Sequence, residues 1–303
     1  MRRPGIWRRI CLLPGALLLT QPAAAQDQPA ARSADDIIVK GRPEPRRRDV
    51  DRQARAITPR TDVHSEPLAR FQDPICPGIL GLPRGFAEAM VDRIRFDARR
   101  LRIDVAREDG CRPNIVIAFV RNGQREVEAI RNKPGSLLAG LTTAEVRELA
   151  ADAGPVHAWV NSLVRSRDGD PLRGSAEAGQ IPTVTVPAAT SHIFLATRLD
   201  IVSAVVLIDI TAVDGMSVMQ LADYAVMRSL ARTRAVGSDA AAETILSLFD
   251  PGGARPAELT AFDLAYLRSV YGSLPNLPAL TKLGGVAREM RREVAEQDAS
   301  PQR

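Results

Sequence analysis

The most strongly patterned stretch of the chain is a nearly unbroken apolar run, AVVLIDIT at residues 204–211, followed by the turn AVDGMS and then by VMQLADYAVMRSLARTR. A short aliphatic run bounded by a turn predicts a buried strand, and the apolar recurrence beyond it predicts a long helix over 218–233. A second helical period lies upstream in GFAEAMVDRIRFDARRL. There Phe86, Met90, Ile94 and Ala98 recur at spacing four beside Ala87, Val91 and Leu101, and the flanking arginines with Asp92 and Asp97 read as a solvated face. Strands are expected at 101–107, 114–120, 156–166 and 192–197, where VHAWVNSLVRS alternates residue by residue. Thr142 to Glu145 open a further helix with a capping arrangement. Asp168-Gly169 is the tip of a polar loop or hairpin, and helices follow at 241–249, 260–271 and 280–295. CPGILGLP at 76–83 is rich in Pro and Gly and reads as turn. This pattern predicts a single α/β domain of mixed type over 71–297, with a frayed tail at 298–303.

The first residues change the compartment. Residues 1–25 combine a basic start (Arg2, Arg3, Arg8, Arg9), an apolar run over 10–19 and small residues at Ala23 and Ala25, the pattern of a signal peptide cleaved after Ala25. The apolar run falls short of the roughly 20 residues needed to span a bilayer, and no later stretch is long and apolar enough to do so. The expectation is a periplasmic or secreted protein. Residues 26–70 are rich in Pro, Arg and Asp without a sustained apolar period, and read as a disordered arm. Within it DIIVK, at residues 36–40, resembles the short strand by which outer-membrane receptors engage an energising periplasmic protein. No barrel follows it, and a strand-addition peptide that recruits a partner protein is the other use of such a run.

Charge and cysteines narrow the classes further. The formal charge of +5 falls to +1 once the four arginines of residues 1–25 are set aside, 37 basic residues against 36 acidic. A nearly neutral chain with few aromatics offers neither attraction for phosphate nor a stacking surface, so no nucleic-acid partner is expected. Cys76 and Cys111 remain after cleavage. A bond between them is the simplest outcome in an oxidising compartment, and two buried free thiols are the alternative. Two cysteines without a neighbouring histidine are too few for a zinc site.

Candidate chemistry is sparse. The three histidines are His64, His157 and His192. Ser191-His192 are strand neighbours whose side chains point apart, and no nucleophile elbow, phosphate loop or calcium loop is present. Asp200, Asp209 and Asp214 could supply a glycosidase pair, with nothing in the sequence to fix their separation. Asp209 interrupts the apolar run and, if buried, needs donors such as Arg198 or the amides beyond Gly215. Asp223, Tyr224 and Arg228 lie within a turn and a half of one helix. The spacing of five between Asp223 and Arg228 is not that of an ideal pair, so a polar network with another element is expected.

Strand, turn, long helix, ILSLFD and ELTAFDLAYLRSVYG together resemble the second half of a metzincin-type zincin domain. Its last helix commonly reads leucine, Ser or Thr, two residues, Asp, then an aliphatic stripe and Tyr-Gly; here these are Leu259, Thr260, Asp263, Leu267, Tyr271 and Gly272. The whole chain is also similar to a family of secreted bacterial proteins that share QLADYAxMRxLA and LTxFDxAYLxxLY. The resemblance implies a metal helix at 218–233. Its HExxH positions are occupied by Ala222, Asp223, Tyr224, Ala225 and Val226, so both ligand positions are apolar and only Asp223 keeps a carboxylate. By the residues alone, Thr260 is a helix cap and Asp263 supports the first turn. The expected function is a non-catalytic, zincin-like binding or structural protein of the cell envelope, with no metal, no cofactor and no catalytic residue assigned. The alternative is a secreted hydrolase with a non-standard site.

Overall fold

The computed structural model describes residues 45–299, apart from 60, 108–109, 134–136, 173, 176–182, 185–192 and 238–239; at 174–175, 183–184 and 298 only the backbone is described. In chain order the elements are α1 (Arg47–Ile57), β1 (Arg70–Phe71), β2 (Pro77–Leu80), α2 (Arg84–Arg100), β3 (Ile115–Val120), α3 (Gly123–Arg131) and α4 (Thr143–Ala151). They continue with β4 (Val156–Ser166), β5 (Gly174–Ser175), β6 (Thr183–Val184), β7 (Thr197–Asp209), α5 (Val218–Leu230), α6 (Ala261–Tyr271), α7 (Ala279–Leu283) and α8 (Val286–Ala299). The fold is a single domain of mixed α/β type.

β7 is the axis of the five-stranded sheet. β3 runs parallel to it from Ile115↔Ala204 to Val120↔Asp209, and β2 runs parallel to β3 on the outside. β1 pairs only at Arg70↔Asp200 and Phe71↔Ile201. β4 runs antiparallel along the opposite edge of β7, with a register shift at Asn161/Ser162, so β1 and β3 share the remaining edge end to end. Side chains of β7 alternate between two cores. Ala204, Val206 and Ile208 join Ile115, Ile117 and the helices α1, α2, α5 and α6 on one face. Val205 and Leu207 join Trp159, Val127 and Leu138 under α3 and α4 on the other. Burial on both faces is why this strand reads as a continuous apolar run. α5 is buried throughout Leu221–Leu230, as expected of a helix that is apolar almost all round.

The pattern reading fails in several places, each for a physical reason. The expected arm at 26–70 contains α1, whose narrow stripe of Val50, Ala54 and Ile57 enters the core, while Gln53 exchanges two hydrogen bonds with the backbone of Ala242. Three apolar positions suffice when a neighbour supplies the rest of the cover, and the segment's average composition hid them; residues 26–44 lie outside the described residues. The expected turn at 76–83 holds β2, an edge strand whose Pro77 is tolerated at its first position. The expected strand at 101–107 contributes only the bridge Ile75↔Val105. β7 is one strand of 13 residues, and His192 lies outside the described residues. The expected helix at 241–249 is a single 3-10 turn, Ile245–Ser247, and the C-terminal helix is broken into α7 and α8 at Gly284.

Cys76 and Cys111 are disulfide-bonded, with Cα atoms 6.2 Å apart. The bond joins the chain just before β2 to the chain just before β3, across a sequence separation of 35. Loop closure of that size stabilises by about 4 kcal/mol in the chain-entropy account. Among the described residues no helix is long and apolar enough to cross a membrane.

Candidate functional site

Ser217 and Gln220 form a capping box that starts α5, and the helix then carries two charged residues into the interior five positions apart. The first is Asp223. It receives Arg93 of α2 in a fork, Nε to Oδ1 at 2.6 Å and Nη2 to Oδ2 at 2.7 Å, and its Oδ2 also accepts the amide of Leu259 at 2.7 Å. The hydrogen bonds to Asp223 hold the Arg93 guanidinium above its ordinary pKa. Glu258 reaches the same guanidinium at 3.2 Å and Asp97 at 3.3 Å. Asp97 is fully buried, and among the described residues neither of its oxygens accepts a hydrogen bond. Burial, with the charge of Asp223 next in size, pushes its carboxyl up to about 7. Asp223 thus joins a network across several elements: Arg93, with Asp97 beside it, sits on α2, and Glu258 and the Leu259 amide lie just ahead of α6. The docking of α5 on α2 covers Arg93 and Asp97, part of the expected solvated face, while Asp92 and Arg99 on the same helix stay exposed as expected.

The second charged residue is Arg228. Nη1 donates to the hydroxyl of Tyr224 at 3.0 Å, and the guanidinium lies 5.8 Å from the centre of the same ring. Tyr224 packs edge-on against Phe249. Among the described residues no ion pair reaches Arg228, and its Nε is buried without a partner. Asp223 therefore joins neither Tyr224 nor Arg228; along α5 the two groups form separate centres.

Arg228 lines a cavity of about 500 Å³ that opens at the edge of the sheet. One wall is α4, with Leu141 just ahead of it and Glu145, Glu148 and Leu149 on it; the opposite wall carries Arg228, Arg232 and Arg234. Arg232 and Glu145 form an ion pair across the space. Between the walls lies β4 at Ala158, Trp159 and Val160. The amide of Asp209 donates to Pro155 at 2.8 Å, which fixes the phase of the antiparallel ladder. His157 and Trp159 then face β7 with their backbone groups, and Ala158 and Val160 turn theirs outward. Among the described residues no hydrogen bond reaches these outward groups. Farther along, this free edge ends where Arg165 bridges Pro171 and the amide of Ser166 donates to Asp170.

The remaining expected residues lie elsewhere. Asp209 is only half-buried and caps the 3-10 turn Ile210–Ala212 through Thr211, N at 2.9 Å and Oγ1 at 2.8 Å. Arg198, one of its expected donors, pairs with Asp200 instead. Asp200 and Asp209 are separated by about 30 Å along one strand, which rules them out as a glycosidase pair. His157 is buried with Nε2 2.9 Å from the carbonyl of Asp152. Its Nδ1 packs so close to the first residue of α3 that a Cβ on Gly123 would stand 2.4 Å away. Among the described residues no group of three His, Cys, Asp or Glu could hold a metal. Thr260 caps α6 with Asp263 in a reciprocal box, as its sequence implied. The cavity itself escaped sequence reasoning. Its one signal was the alternating strand at 156–166 with no adjacent strand to cover its second edge.

Comparison with known proteins gives no matching family, no matching curated protein and no matching solved structure.

Proposed function

We propose that this is an exported, non-catalytic binding protein of the cell envelope, built on a zincin-like scaffold, whose groove takes an extended peptide against the free edge of β4. The observation that carries the reading is the pair of outward-facing backbone positions, Ala158 and Val160, opening into a cavity of about 500 Å³ between two helical walls. A strand edge lodged in a groove offers main-chain hydrogen bonds to an incoming strand and side-chain pockets to either side of it. The non-catalytic half of the reading is supported by α5. The positions that the zincin resemblance gives to two metal ligands are Ala222 and Val226, both without solvent contact. Asp223, where that resemblance places a general base, is closed off by Arg93 and the Leu259 amide. Export is supported by the pattern of residues 1–25 and by the Cys76–Cys111 bond.

Amide hydrogen exchange on protein recovered from the periplasm tests the groove. Addition of a pool of short random peptides is expected to slow exchange at Ala158 and Val160 while leaving the core strand β3 unchanged; unaltered exchange at both edge amides with every peptide refutes it. In the same preparation the chain is expected to begin at Gln26 and to carry no stoichiometric zinc. Zinc retained on dialysis, together with peptide cleavage, would establish the hydrolase alternative.

A further inference from the structure

We infer that Arg228 receives the C-terminal carboxylate of the bound peptide, an assignment that rests on the peptide-groove reading. Arg228 is only 8% exposed and lines the cavity. A guanidinium has five donors, and here one of them reaches one neutral acceptor, the Tyr224 hydroxyl. The carbonyls that end α5 supply part of a counter-charge through the helix dipole. Among the described residues no carboxylate completes it. A buried cation in this state is strongly disfavoured until an anion arrives, and a carboxylate can meet the guanidinium fork with two parallel hydrogen bonds.

The walls select among anions. The face opposite the arginines carries Glu145, Glu148 and Asp152, which repel a ligand with several negative charges and admit one with a single carboxylate directed at Arg228. The free edge favours a chain end. A strand that continued past the cavity would run into the Arg165–Pro171 bridge, five residues beyond Val160, so a chain that stops at Arg228 fits the edge without having to leave it. Tyr224, itself fixed by Phe249, positions the guanidinium from below.

The test uses the chain from residue 26 onward and two pools of short random peptides that differ only in having a free or an amidated C-terminus, with retained peptides read by mass spectrometry after equilibrium dialysis. Free-acid peptides are expected to be retained about tenfold or more over the amides. The preference is expected to vanish in Arg228→Met and to survive in part in Arg228→Lys, which keeps the charge and the stem. Unchanged far-UV circular dichroism and Tm certify the folding of either variant. Equal retention of both pools by the unaltered protein overturns the assignment and leaves the groove reading standing. So does a preference that persists in folded Arg228→Met, or retention of amidated peptides enriched in Asp or Glu, which would move the carboxylate to a side chain. Retention of neither pool removes both readings.

Discussion

Two arginine centres on the helices α2 and α5, one partly buried and one buried, differ in their partners. Arg93 meets Asp223 in a bidentate pair closed by the Leu259 amide, and Glu258 adds further negative charge. Arg228, five residues along α5 from Asp223, meets among the described residues a phenol and an open cavity, and no carboxylate. The Arg93–Asp223 pair is satisfied within the chain and ties two helices together. The second is left incomplete by the chain itself, in the place where the sheet also leaves a strand edge uncovered. A buried charge is costly wherever it lies, so the difference separates a structural use of arginine from a receptive one.

The largest expected effect breaks the closed centre. Replacing Asp223 by Ala leaves Arg93 and the Leu259 amide without their acceptor, and stability in urea is expected to fall by about 3–5 kcal/mol. A loss under about 1 kcal/mol would mean that Glu258 and Asp97 can take over and that the pair is not the link between α2 and α5.

The same centre makes stability depend on pH. Asp97 keeps its proton to about 7 in the folded protein against an ordinary 3.8, so the folded state binds more protons than the unfolded state between those values. Stability is expected to be greatest below that window and to fall as pH rises toward 7, with a slope of at most ~1.4 kcal/mol per unit. Lys282 works in the opposite direction. Burial, reinforced by Arg70, lowers it to about 7 from 10.5, so the unfolded state binds the extra proton above 7 and stability recovers between 7 and 10.5. Urea midpoints against pH should show a minimum near neutrality, and Asp97→Asn should flatten the upper part of the acidic limb and leave the basic limb unchanged, the lower part being shared with Asp263, which burial pushes up to about 6. A profile that rises from pH 4 to 7 in the unaltered protein would contradict the assignment of Asp97.

Smaller effects sharpen the open centre. Thr142→Ala removes the box that starts α4, the acidic wall of the groove, and is expected to cost about 1 kcal/mol while slowing no exchange at the β4 edge. Arg228→Met is expected to change stability by less than about 1 kcal/mol, because the stem is retained and the lost charge had no anion. A loss as large as that at Asp223 would show that Arg228 is structural as well, and the comparison between the two centres would collapse.

What was legible in the sequence is the set of features with a local cause. The buried strand within β7, the alternation of β4, the stripe of Met90, Ile94 and Ala98 in α2 and the capping residues Thr142 and Thr260 all depend on neighbours a few positions away, and their periods or caps survive in the bare sequence. The mixed α/β class followed from them. The features that needed the tertiary structure are those in which one element completes another. α1 is short of apolar residues and gains its place from the core that receives it. Phe86, in register with the apolar stripe, is left 54% exposed because none of the described residues docks over it. Arg93 and Asp97 looked like a solvated helix face until α5 covered them. Arg228 and Tyr224 were visible as neighbours on one helix. That the arginine faces a cavity, and that Asp223 turns away from it to Arg93, is decided by how α5 docks between α2 and the edge of the sheet. Periodicity fixes which face of a helix is apolar, whereas the partner of a buried charge is chosen by packing between segments more than a hundred residues apart.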